Sequence, residues 1–365
     1  MVMAPEMLLQ AFDRPLLFEM ETVTSRFIGP DGQPVQQQIE VRTHPVSGRR
    51  CRITFARKAE EPAADASLPP RPPGAHDRDS CPFCRPALNR QTPQIPDDWF
   101  PGGRLIKGTS VLFPNLFPYG RYSAVSLFDD RHFVEIGTAD PGAYVDCFLN
   151  CRQYLAAVSD RDPAAKYVAI TQNHLPSAGG SLLHPHLQVH ADRIAGNHHR
   201  YLEMRATSYY KATGRYLFAD YLAHEKAAGQ RYIGATGAWK WLAAYAPEGF
   251  YEIWGILPGI VSFQDLAAAD WQGLVSGIFN TQRFYRSLGR NGYNLGLIAI
   301  ADPRTRLDLR VVMLVRSNYA PWVRNDHTGY EIMLGDMATF TAPEETATAA
   351  RPFWQDPGAG DTRDA

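Results

Sequence analysis

Between Asn173 and His190 the chain reads NHLPSAGGSLLHPHLQVH, and here residue types and spacing suggest chemistry. His184, His186, Gln188 and His190 alternate with Pro185, Leu187 and Val189. Successive side chains of a strand point to opposite faces, so the polar set lines one face while Pro, Leu and Val enter a core. Three imidazoles on one short face are poorly explained by packing, because each buried ring needs hydrogen-bond partners. Upstream, Ser177-Ala-Gly-Gly-Ser181 is a small-residue loop whose backbone N–H groups, with the Ser181 hydroxyl, suit a phosphate. A neutral imidazole beside a phosphate is a competent nucleophile near pH 7, and its phosphoramidate is labile enough to pass the group on. Attack requires one ring nitrogen bare and the other held as N–H by a carbonyl or similar acceptor. His186, the central member, is the expected nucleophile, with His190 an outlying residue of the same face.

The elements that must carry this strand follow from periodicity. Residues 39–57 read as two short strands around a Pro-Val-Ser-Gly turn, and 109–114 and 122–127 as two more. A helix is expected over 141–160, then strands at 167–172 and 183–189. The second half repeats the order, with two strand-like runs in 239–256, an amphipathic helix over 266–288, and strands at 293–301 and 309–315. Two β-β-α-β-β halves imply duplication of an α+β unit. The expected boundaries are 1–205 for the half bearing the chemistry, with a mobile Pro/Ala-rich loop at 59–79, then 206–345, then a frayed tail at 346–365.

Lys and Arg number 37 against 38 Asp and Glu, and no basic block stands out, so a nucleic-acid backbone is excluded as a partner. No run approaches the ~18 apolar residues of a membrane span, nor is there a secretory leader, so a cytoplasmic location is expected. The five cysteines are an odd number in a long chain, against a disulfide framework. Cys81-Pro-Phe-Cys84 has the spacing of a metal-ligand pair, although ordinary packing explains such a pair as well. Cys147 and Cys151, one helical turn apart, read as a buried small-residue stripe.

The HPHLQ pattern, preceded by GGS and by an Asn eleven residues before the first His, resembles the galactose-1-phosphate uridylyltransferase family, a branch of the histidine-triad superfamily. The resemblance implies an α+β fold of two fused histidine-triad-like halves, each an antiparallel sheet with a packed helix. It makes His186 the group that accepts the nucleotidyl moiety and Gln188 a contact to a phosphoryl oxygen. Asn173, Gly179, Gly180 and Ser181 would surround the phosphates, and Asn115 would contact the nucleotide. Cys81, Cys84, His132 and His184 match the family's ligand set, implying one structural zinc, with iron able to use the same ligands. Hydrolase branches carry a third His at the Gln position. Gln cannot act as acid or base near neutral pH, so transfer is favoured over hydrolysis.

The implied activity is that of a UDP-glucose–hexose-1-phosphate uridylyltransferase-like enzyme. Its partners would be a nucleotide sugar or other nucleoside diphosphate donor, a phosphorylated acceptor, and a second copy in a homodimer. The alternatives are a phosphorylase or adenylyltransferase using inorganic phosphate or another phosphorylated acceptor, and a non-catalytic nucleotide-binding protein. Departures from the family pattern concern the acceptor. Asn325 stands where a sugar-phosphate Lys is usual, and Met337 where a Gln does similar work. Leu116 replaces an acid after Asn115, and Ile298 a second-site His, so no second metal is expected.

Overall fold

A computed structural model describes residues 15–55, 71–319 and 326–355. The bulk of the 59–79 loop, Asn325 and the end of the tail from residue 356 lie outside the described residues. In chain order the first half contains β1 (Glu19–Ile28), β2 (Pro34–Thr43), β3 (Arg50–Thr54), α1 (Ala87–Gln91), β4 (Leu105–Lys107), β5 (Ser110–Pro114) and β6 (Tyr122–Leu127). It continues through α2 (Pro141–Arg161), β7 (Tyr167–His174), β8 (His186–Asp192), α3 (Asn197–Thr213) and α4 (Leu217–Ala228). Then come β9 (Tyr232–Thr236), β10 (Trp239–Ala243), β11 (Phe250–Leu257), α5 (Ala268–Ser287), β12 (Tyr293–Ile300) and β13 (Leu309–Val315). The chain closes with α6 (Gly329–Leu334), β14 (Met337–Thr339), α7 (Pro343–Ala350) and α8 (Pro352–Gln355).

The duplication is visible in the strand order. One ten-stranded sheet runs β4-β5-β6-β8-β7-β12-β13-β11-β10-β9, so the second five strands repeat the first five in reverse. Each half has its helix, α2 or α5, between its third and fourth strands. The two halves are fused edge to edge: β7 and β12 pair antiparallel from Tyr293 opposite His174 to Ile300 opposite Tyr167. The division expected after residue 205 falls inside α3, which packs on the second half through Leu202, Ala206 and Tyr209.

Local chemistry explains the helices. α2 begins at Asp140, whose carboxylate accepts from the Ala143 amide (2.8 Å), with Pro141 in the first turn. Its apolar stripe and that of α5 cover one face of the sheet, against Leu187, Val189, Leu295 and Leu297. Beneath the seam, Tyr144, Gln172, Gln282 and Tyr293, one each from α2, β7, α5 and β12, close a buried hydrogen-bonded ring. The two hydroxyls stand 3.0 Å apart, and Gln282 donates to Tyr293 (2.9 Å).

On the opposite face, α3, α4 and a small sheet (β1-β2-β3-β14) cover the second half. Leu88 and Phe83 cover β5 and β6. Between these covers the polar faces of β8, β7 and β12 stay half-open.

The tail departs from expectation. Residues 343–355 are helical: Ala347 and Ala350 are fully buried, and the Trp354 ring lies 5.8 Å from that of Trp241. Glu344 accepts from both Arg42 (2.9 Å) and Arg231 (2.7 Å), which stand over the Tyr245 ring at 5.1 and 4.9 Å. A polar composition hid the few apolar residues, Ala347, Ala350 and Trp354, that dock the segment. No helix among the described residues is long and apolar enough to cross a membrane.

Gly277 of α5 tests the packing. Alanine is favoured over glycine in a helix interior by about 1 kcal/mol. At this position, however, an added Cβ runs into the buried Trp241 indole, and overpacking costs about 1–3 kcal/mol. Gly277→Ala is expected to destabilise the protein in urea unfolding; a gain in stability would contradict the close approach.

Candidate functional site

β8 forms the sequence-predicted face from His186 to His190; the strand begins at His186, so His184 precedes it and lies off the strand. Leu187, Val189 and Ala191 are buried against α2, while Gln188 and His190 are half-buried on the other side with His186. The His186 ring Nδ1 lies 2.8 Å from the His184 carbonyl oxygen. A carbonyl only accepts, so Nδ1 carries the proton and Nε2 keeps its lone pair. Burial holds this ring below the usual imidazole value, which keeps it neutral. The Phe83 ring stands edge-on to it at 5.4 Å and supplies an apolar wall. His190 pairs with the Ser123 hydroxyl (3.3 Å) further along the strand.

β7 pairs with β8 with Thr171 opposite Gln188. Continued by two residues, that register sets Asn173 beside His186. β7 then ends in a tight turn in which Leu175 adopts φ +73° and Gly179 φ +87°. Gly180 is the crowded position, because a Cβ there would come within 2.9 Å of the Asn173 carbonyl and 3.0 Å of that of Leu175. Gly179 donates to the Pro176 carbonyl (3.0 Å) and Gly180 to that of Leu175 (3.1 Å), so both serve the turn. Ser181 is exposed and can donate to a ligand, and the buried Ser177 hydroxyl of the same loop has no hydrogen-bond partner among the described residues. Asn115 lies two strands from β8, level with His190 through its bond to Ser123. That is four residues, or about 13 Å, along the strand from His186.

The four proposed metal ligands come together. Cys81, Cys84, His132 and His184 are buried, with ligand atoms all within 4.8 Å of one another. Cys84 Sγ stands 3.4 Å from His184 Nδ1 and 3.5 Å from His132 Nδ1. Ligands around a tetrahedral ion with bonds of ~2.0–2.3 Å stand ~3.3–3.8 Å apart, so the set fits one ion with little adjustment. Both histidines present Nδ1 because Nε2 is held by a carbonyl: Asp129 for His184 (3.0 Å) and Gly74 for His132 (3.1 Å). Gly74 belongs to the described end of the loop expected to be mobile, and this bond ties it to the site. Burial and Cys81 push the Cys84 thiol up to about 11, a proton that a bound cation would displace.

The second half contributes residues that sequence reasoning missed. Asn294, opposite Asn173 on β12, donates to the Asn173 side-chain oxygen (2.7 Å) and to the Ala178 carbonyl (2.8 Å). Arg316, just past β13, donates to Asn294 (2.8 Å) and is itself gripped by Asp326. The available signal was one polar residue at an outward position of an otherwise apolar strand, YNLGLIAI. Met337 is buried in β14 opposite Cys51, and so is a core residue.

This is an α+β scaffold of two sheet-and-helix repeats with a histidine on the strand next to the seam, and the expected resemblance holds at the level of the fold. An ADP-glucose phosphorylase from Arabidopsis thaliana, solved with bound ADP-glucose, matches with a TM-score of 0.64 at 18% identity, over 86% of this chain and 98% of that one. A uridylyltransferase structure matches with a TM-score of 0.63 at 17% identity, over 86% and 98%. In sequence, an uncharacterized protein of Archaeoglobus fulgidus is 28% identical over 284 residues, covering 76% of this chain and 83% of that protein. No protein-family profile matches the chain.

The Cys₂His₂ group is tested by metal analysis. Cys84→Ser and His132→Ala are each expected to lose a metal ion held by the parent protein and to melt lower by roughly 5–10 °C. Equal metal content in parent and both variants would exclude the site.

Proposed function

We propose that the chain is a nucleotidyltransferase that carries a nucleoside monophosphate on His186 Nε2 between two phosphate-bearing substrates. The observation carrying this reading is the His186 ring, with Nδ1 tied to the His184 carbonyl and Nε2 left bare on the half-open face. In the first step the Nε2 lone pair attacks the α-phosphorus of a nucleotide sugar or other nucleoside diphosphate compound. The bond to the bridging oxygen breaks, and the departing phosphate ester takes its electrons. The ring becomes cationic, and its Nδ1–H bond to the carbonyl strengthens as a charge-assisted bond. In the second step an oxygen of the acceptor phosphate attacks the same phosphorus, the P–N bond breaks, and the neutral ring returns. Asn173, Ser181 and Gln188 would donate to the non-bridging oxygens, where a preorganised donor is worth ~2.7–4 kcal/mol. Asn115 would meet the nucleoside end.

The four-ligand group suits a zinc ion, since two thiolates and two imidazoles are its usual closed set. Filled by protein ligands, it would serve structure, fixing the Cys81–Cys84 loop against His184 and so the approach to His186.

For the acceptor, one observation favours the phosphorylase branch over a hexose 1-phosphate. Met337, standing where the uridylyltransferase resemblance expects a sugar-phosphate Gln, is buried in the core and cannot reach an acceptor. The Arabidopsis neighbour, by its description an ADP-glucose phosphorylase, accords with that choice.

Mixing the protein with ADP-glucose or UDP-glucose, without acceptor, should add the mass of one nucleoside monophosphate to the chain and nothing to His186→Ala. Discharge of that adduct by inorganic phosphate assigns a phosphorylase; discharge by hexose 1-phosphates alone assigns a uridylyltransferase-like transfer. An adduct of equal yield in His186→Ala would refute the nucleophile, and no adduct with either donor would refute their use as substrates.

A further inference from the structure

We infer that Asn294 and Arg316 of the second half are positioning residues that set which way the Asn173 amide faces. The inference rests on the reading of Asn173 as a phosphate contact beside His186. An asparagine amide has a donor end and an acceptor end, and turning it over exchanges them. Two fixed partners decide the matter for Asn294. The Arg316 guanidinium has only donors, and its Nη1 lies 2.8 Å from Asn294 Oδ1. The Ala178 carbonyl only accepts, and it lies 2.8 Å from Asn294 Nδ2. Both demand the same orientation.

Asn294 Nδ2 therefore also faces Asn173 Oδ1, at 2.7 Å. With its oxygen engaged, Asn173 presents Nδ2 away from Asn294, on the open face shared with His186. A phosphoryl oxygen arriving there meets a donor; with the amide reversed it would meet another oxygen. Arg316 is itself held. Asp326 accepts from its Nε (2.8 Å) and Nη2 (2.7 Å) and also from the Ser317 amide (3.1 Å). A directional chain thus runs from Asp326 through Arg316 and Asn294 to Asn173, crossing the seam between the halves.

The test measures the rate of His186 adduct formation at saturating ADP-glucose and UDP-glucose, alongside equilibrium binding of the same sugars. Asn294→Asp still accepts from Arg316 but has no donor for Asn173. It is expected to slow the adduct by about 100-fold, while in an Asn173→Ala background the same change matters by less than about threefold. Arg316→Lys, which keeps a donor for Asn294, should recover most of the rate lost in Arg316→Leu; this pair carries the test if Asn294→Asp does not fold. Slowing by the same factor with and without Asn173, or equal rates for Lys and Leu at position 316, would overturn the relay and leave the His186 chemistry standing. If the parent protein binds these sugars without forming an adduct, the chemistry falls. The relay is then judged by whether Asn294→Asp weakens binding only when Asn173 is present. A parent protein that neither binds nor reacts overturns both.

Discussion

The hydrogen bond from the His186 ring to the carbonyl of His184 is the contact on which the site depends. It is made within one strand, over two residues, and it decides three things together. It fixes the tautomer, it aims Nε2 at the open face, and it would give the ring an acceptor in the cationic state that the proposed transfer requires. The carbonyl belongs to a residue whose own ring is a candidate metal ligand, with Nε2 pinned to Asp129. The orientation of the His186 ring is thereby coupled to the Cys81–Cys84 loop through the His184 backbone.

Around that bond the fold is a means of keeping one patch of sheet open. Every strand of a wide sheet has two faces to cover, and here α2 and α5 cover one of them throughout. The other is covered from both ends, by the Cys-loop residues over β5 and β6 and by α3, α4 and the small sheet over the second half. The polar rows of β8, β7 and β12 lie in the gap. Because β7 and β12 pair along their length, the second half lies directly against the first. Asn294 is one strand from Asn173, and a duplicated unit without its own histidine pair still takes part in the site.

Much of this was legible in the sequence, where the signals are local. Alternation over His186–His190 gave the face, although the strand starts two residues after His184, and the 3.6-residue period gave α2 and α5 nearly to the residue. The Cys-x-x-Cys pair and two distant histidines converge as the resemblance implied. What was illegible depends on partners far apart in the chain. The relay joins residues 173, 294, 316 and 326, and no spacing rule connects an Asn on one strand with an Asn on another 121 residues later. Composition identified a tight turn but not which carbonyls accept from the Gly179 and Gly180 N–H groups. The tail was misread because the partner that Trp354 packs on, Trp241, lies far away in the chain.

The most direct measurement is which ring nitrogen carries the nucleotidyl group. Adduct formed on protein labelled with ¹⁵N-histidine can be examined by phosphorus NMR for coupling to a single ring nitrogen. Coupling to Nε2 of His186 is expected, since Nδ1 is committed to the His184 carbonyl. Coupling to Nδ1, or phosphorus on another side chain, would contradict the assignment of that hydrogen bond as the determinant of the site.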